Sequence, residues 1–253
     1  MNIIKKVFFT VLALSSIDNF GQELVTDRPD QTESSITIET HTFQIESGLA
    51  FENYEKGIQN NFIGPSTLLR YGVSDNFELR FVFEHQKTEI GLDGANIDFN
   101  GLNDIEIGAK IQVLEDSDKN TEIAFLSHLV IPTAKDELTT NNFGVVNKLA
   151  VSHSISDKVG LGYNIGYDLV AKQSALTYSL ALGFSISDVV GFYIEPYGSW
   201  AEQNQFESNF DTGLTFLLNP NFQLDVSYGT GLNHEMNYIG AGFSWKIHKF
   251  LKK

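Results

Sequence analysis

Between Ile155 and Val190 large apolar or aromatic side chains alternate with small or polar ones almost without a break. Val159, Leu161, Tyr163, Ile165, Tyr167 and Leu169 interleave with Gly160, Gly162, Asn164, Gly166 and Asp168. Leu176, Tyr178, Leu180, Leu182, Phe184 and Ile186 do the same with Ala175, Thr177, Ser179, Ala181, Gly183 and Ser185. A period of two belongs to a strand, because successive side chains point to opposite faces. The two runs are 11 and 12 residues long. Strands of globular proteins usually run about 5 to 6 residues, whereas a tilted strand of about 11 crosses a bilayer.

The rest of the chain repeats this unit. Val73 and Phe77 flank Ser74, Asp75 and Asn76, and the same arithmetic returns at Ile155 and Val159, Ile186 and Val190, and Leu218 and Phe222. Each three-residue connection keeps the flanking apolar residues on one side, a recognised hairpin length. The last three lie roughly 31 residues apart, room for two long strands and their connections. The intervening connections, at 54–60, 88–100, 133–141, 171–174, 202–205 and 230–235, vary in length. Short turns at one end and longer loops at the other is the asymmetry of outer-membrane barrels. The pattern predicts an all-β, transmembrane, antiparallel up-and-down β-barrel of about 12 strands over residues 41–248, with the short turns in the periplasm.

Lys5 and Lys6 ahead of the apolar run Val7–Leu14 read as a signal peptide over 1–21, too short for a membrane helix. The chain has no cysteine, so an exported domain must hold together without disulfides or thiolate metal sites. A net charge of −15 argues against nucleic acid, whose phosphates need cations. Residues 249–253 form a basic tail, and 22–40 a separate lead segment: Ile36 and Ile38 break the parity of the strand that puts Phe43, Ile45, Leu49 and Phe51 on one face.

The segment Thr26–Ser34, TDRPDQTES, followed by the strand FQIESGLAFE, resembles the N-terminus of the phenol-degradation meta-pathway family of Bacteroidetes transporter-like outer-membrane proteins. The hairpin pattern extends the resemblance over the mature chain. It implies an outer-membrane β-barrel with a transport role, passing small solutes and, as the family name suggests, apolar or aromatic compounds.

On the polar parity lie Glu46, Glu52, Glu78, Arg80, Glu84, Asp104, Glu106, Lys110, Glu122, Asp168, Glu195, Asp211 and Asp225, with Arg70 diagonal to Glu78. Most of these are expected to line a lumen, some paired into ion networks; rings of acids favour cations. Arg28, between Asp27 and Pro29, is expected to meet Glu78 or Asp225 and make the lead segment a partial plug. The partners implied are outer-membrane lipid and a small solute, with no cofactor. Two alternatives are a secreted β-sandwich binding domain and a barrel enzyme like the outer-membrane phospholipases. For the second, His153 with Ser152, Ser154 and Asn147 is the only constellation to weigh. Neighbouring strand residues face opposite ways, and Ile155 stands where a same-face serine is needed. The remaining histidines lack metal-ligand spacing.

Overall fold

The computed structural model describes residues 24–92, 95–116, 119–135, 137–202 and 205–248; the expected signal peptide at 1–21 and the basic tail at 249–253 lie outside the described residues. The strands are β1 (Phe43–Tyr54), β2 (Gln59–Ser74), β3 (Phe77–Leu92), β4 (Ala95–Leu102), β5 (Ile105–Asp116), β6 (Thr121–Ile131), β7 (Gly144–Ser156), β8 (Val159–Val170), β9 (Gln173–Ser185), β10 (Val190–Ala201), β11 (Gln205–Asn219), β12 (Phe222–Gly231) and β13 (Met236–Ile247). β1 pairs with both β13 and β2, and β2 with β3, so twelve antiparallel strands close into a ring. Closure satisfies the backbone groups of the ring strands without an edge, as a bilayer demands. It also excludes the sandwich.

β4 stands outside the ring, paired only with β3. Residues 88–100 read as a loop, yet β3 runs on to Leu92 and β4 returns beside it. Thr88 faces Phe99 and Ile90 faces Ile97, the aromatic and β-branched cross-strand pairs that hold a ribbon together. The short turns after β2, β7 and β11 are two-residue tips, each preceded by a register shift in the outgoing strand. That shift supplies the third residue of the sequence arithmetic. The turn after β9 differs: Ile186 and Ser187 both donate backbone N–H to the Val190 carbonyl, at 2.9 and 3.1 Å.

The packing is inside out. The largest fully buried side chains include Arg70, Lys110, Gln44, Glu46 and Glu78, while Ile165 is 61% exposed and Phe51 59%. An apolar belt of this extent is untenable in water and natural in lipid. Aromatic residues gather at both rims, where the belt meets headgroups. Trp200 packs edge-on against Phe206 at the loop end, and Phe222 stacks on Phe243 at the turn end. Polar residues on the lipid face are satisfied locally: Ser127 Oγ donates to Asn147 Oδ1 at 2.8 Å, and His153 lies 3.0 Å from Thr121 Oγ1.

Strand polarity fixes a first prediction. Ile165 lies midway along β8 on the lipid side. Ile165→Arg is expected to cost about 2–4 kcal/mol, the price of a cation near the bilayer midplane, whereas Ile165→Phe is expected to be nearly neutral. Urea unfolding in lipid vesicles measures both, and equal effects would mean that this face is not in lipid.

Candidate functional site

Residues 24–42 run inside the barrel. Near the turn end His41 N–H donates to the Gly72 carbonyl and Thr37 Oγ1 to the Asp75 carbonyl. Deeper in, Ile38 N–H reaches Glu78 and Ser35 Oγ reaches Glu122. The wall is built to admit the segment. Gly48 and Gly242 face each other across β1 and β13, and a Cβ on either would sit 2.4 Å from the Arg28 guanidinium. Gly72 likewise leaves room for the Glu39 carbonyl.

Charge explains why the segment binds. Arg70 and Arg80 are direct cross-strand partners on β2 and β3, and Lys110 on β5 faces Glu78. Like charges directly opposite are destabilising, and the wall alone sets Arg70, Arg80 and Lys110 against Glu46 and Glu78. Asp27 supplies what is missing. Its carboxylate accepts from Arg80 Nη1 at 2.7 Å and Lys110 Nζ at 3.0 Å, with Arg70 Nη1 at 3.4 Å. Glu33 adds a second acid, accepting from Arg80 Nη2 at 2.7 Å. Arg70 is bidentate to Glu78, at 2.9 Å for both bonds, and reaches Glu46 at 2.9 Å. Burial alone would raise the Asp27 carboxyl, but Arg70, Lys110 and Arg80 outweigh it and hold it well below the usual 3.8.

Arg28 points the other way and pairs with Asp225, Nη2 to Oδ1 at 2.9 Å and Nε to Oδ2 at 3.3 Å. Glu78 is taken by Arg70 and Arg80 instead. Beyond Arg28 the surroundings turn acidic. Glu195 and Asp211, both fully buried, are cross-strand partners on β10 and β11. Glu195 accepts from the Gln31 N–H at 2.7 Å and from Thr32 Oγ1, while Tyr238 Oη donates to Asp211 at 2.6 Å. Burial, then the Glu195 carboxylate, push the Asp30 carboxyl well above 3.8. Arg28, Pro29 and Asp30 border two cavities at once: one of about 450 Å³ towards the loops and one of about 400 Å³ towards the turns.

The other candidate residues are spread more widely. Glu84 borders the loop-end cavity and accepts from Asn103 Nδ2 at 2.8 Å. Glu106 lies 2.8 Å from His128 Nδ1, and His128 Nε2 accepts from Arg80 Nε at 2.9 Å, which places the imidazole proton on Nδ1. Asp168 borders a smaller cavity of about 230 Å³. Asp104 sits apart, in the connection between β4 and β5. Burial would raise its carboxyl, but N–H donors from Ala134 and Thr140 and the hydroxyls of Thr139 and Thr140 lower it. His153 lies against Thr121 and Tyr163. It is six residues from Asn147 on the same strand, about 20 Å at strand rise, so Ser127, Asn147 and His153 do not assemble into a phospholipase-like set. Asp27, Glu33, Gln31 and Thr32 escaped the sequence reading because a polar side chain in a segment of no fixed period carries no sign of what it faces.

Two outcomes test this geometry. Arg70→Met leaves Glu46 and Glu78 buried without their main cation and is expected to cost roughly 3–5 kcal/mol. The pH dependence of docking should have two sides. Asp27, held below 3.8, favours the docked segment above that pH and loses its contribution as the pH falls through its depressed value. Asp30, held above 3.8, contributes fully below it and loses that contribution as the pH rises through its raised value. Hydrogen-exchange protection of residues 24–42, corrected for intrinsic rates, is expected to peak between these limits; a profile that only rises or only falls would show one of the two environments to be wrong.

No curated protein matches the chain. Among solved structures, the KdgM porin in complex with disordered oligogalacturonate gives a TM-score of 0.55 at 11% identity, covering 81% of this chain and 99% of that one. The KdgM porin by itself gives 0.53 at 11%, covering 80% and 99%. The β domain of the Bordetella autotransporter Brka gives 0.53 at 10%, covering 81% and 99%. At such identity the likeness is one of fold, and a porin and an autotransporter domain sharing it shows that the barrel alone does not choose a function. Residues 26–247 match the family described as "Putative MetA-pathway of phenol degradation", and over that length the chain belongs to it.

Proposed function

We propose that the protein is an outer-membrane channel or transporter that passes small solutes through an acidic lumen and that residues 24–42 are its plug. One observation carries this reading: the Arg28–Asp30 stretch lies between a cavity at the loop end and a cavity at the turn end. A solute crossing the barrel must pass that partition. In outer-membrane barrels short turns face the periplasm and longer loops the outside, so the segment enters from the periplasmic side and the loop-end cavity receives solute from outside. The family description brings phenol-type aromatic compounds forward as substrates.

The plug is held by ion pairs and hydrogen bonds, with few apolar contacts: Leu24 and Ile38 are its buried apolar side chains among the described residues. Withdrawal of the segment takes Asp27 and Glu33 away from Arg80 and Lys110, so water or a solute must enter the lumen to replace them. Deletion of residues 23–38 is expected to raise single-channel conductance in planar bilayers, with heat-modifiable migration on gels retained as the sign of a folded barrel. Unchanged conductance in a folded variant would show that the segment does not close the path.

A further inference from the structure

One rung is missing from the ring. β9 and β10 pair in constant register from Gly191 opposite Ser185 to Ala201 opposite Ala175, but the pairs due at Glu195 with Ala181 and at Pro196 with Leu180 are absent. Proline has no N–H, so β10 offers no donor to the Leu180 carbonyl at that point. Within sheets proline is confined to edge strands and bulges, and neither applies here. β10 pairs on both sides, and its ladder with β11 runs unbroken through Pro196 opposite Phe210. The other proline within a ring strand, Pro65, sits where the register shifts.

Side chains brace the gap instead, one set from each face. Outside, Tyr178 of β9 lies over Gly198 of β10 and reaches Ser208 of β11, Oη to Oγ at 3.2 Å, with its ring stacked on Phe206. A Cβ on Gly198 would come within 2.9 Å of that hydroxyl. Inside, the brace belongs to the plug. Thr32 Oγ1 lies 2.7 Å from Ser179 Oγ on β9 and hydrogen-bonds Glu195 on β10, and Gln31 N–H donates to the same carboxylate at 2.7 Å. Behind the gap lies the cavity of about 230 Å³, bordered by Ser179, Tyr197 and Gln31; roughly 150 Å³ is enough to hold benzene. Resting on the channel reading, we propose that the β9–β10 seam is a lateral exit from the lumen to the membrane for a small uncharged aromatic solute, fastened while Thr32 is docked. Withdrawal of the plug clears the lumen and removes the inner brace in one movement. Backbone bonds are expensive to break in lipid, so a seam already short of one parts more easily than an intact one. An apolar solute gains by leaving a wet lumen for lipid, and a polar one does not.

Delivery is read as the fluorescence rise of N-phenyl-1-naphthylamine, which emits in apolar surroundings, added to vesicles with a lipopolysaccharide outer leaflet that carry the full chain. Thr32→Val is expected to raise the initial rate several-fold over the unaltered chain, and adding Pro196→Val, which restores the N–H, to bring it back down. A reversible lock removes any dependence on how Pro196→Val folds. The chain has no cysteine, and Leu182 and Ile194 are direct partners beside the gap; strand partners stand about 4.5–5.5 Å apart, within disulfide reach. Thr32→Val carrying Leu182→Cys and Ile194→Cys is expected to deliver the probe when reduced and at least fivefold more slowly when oxidised. In barrels shown to be folded by heat-modifiable migration, equal rates for the two forms, or a Thr32→Val rate no higher than that of the unaltered chain, overturn the exit. Placing the lock in the deletion of residues 23–38 and recording conductance tells the readings apart: ion current without oxidation-sensitive delivery refutes the exit alone, and no current refutes the channel reading beneath it.

Discussion

A bilayer offers no hydrogen-bond partner to the backbone, and the architecture follows from that constraint. Strands must pair on both sides, so the sheet has to close, and β2 completes the ring by pairing with β1 and β3. Closure then sorts the side chains. With lipid outside, every second residue is apolar and outward, and the polar half of the sequence is forced into a narrow interior. There it must be solvated, paired or filled.

Filling is the solution on one side of the lumen. Three cations on β2, β3 and β5 crowd two carboxylates, and the N-terminal segment completes the set with Asp27 and Glu33. The same segment carries Arg28 to Asp225 on β12 and Gln31 N–H to Glu195 on β10, and β10 stands six strands from β3 in the ring, so one stretch of chain bridges opposite walls. Glycines at Gly48 and Gly242 provide the space. The bond between plug and wall is therefore electrostatic and reciprocal: removing either leaves buried charges on the other. This makes docking sensitive to pH at Asp27 and Asp30, which shift in opposite directions.

Where the segment does not fill the lumen, cavities remain, and they are unlike. Beside the cation cluster Arg70, Arg80 and Lys110 each have a carboxylate partner. The cavity towards the loops keeps carboxylates and tyrosine rings.

The strand positions, the twelve-fold ring, the lipid face and the short-turn end were all legible in the sequence, because period two is a local property and a bilayer admits one closed solution to it. Residues 88–100 read as a connection, whereas Thr88 and Ile90 find partners only after the chain turns back. The inward parity of Glu46, Arg70, Glu78, Arg80, Lys110, Asp211 and Asp225 was also local. Which of them meet was not. Arg70 and Glu78 are eight residues apart and joined by one hairpin, so their pairing could be read from the turn. Asp27 and Lys110 are 83 apart, and Arg28 and Asp225 197 apart; no periodicity links them. The sequence by itself determined that the chain makes a membrane barrel with an acidic, glycine-rich inner face. Only the tertiary structure decided that those glycines make room for an arginine, that Asp27 is the centre of the ion cluster, and that a cavity remains above it, because these depend on distances across the lumen that closure alone sets.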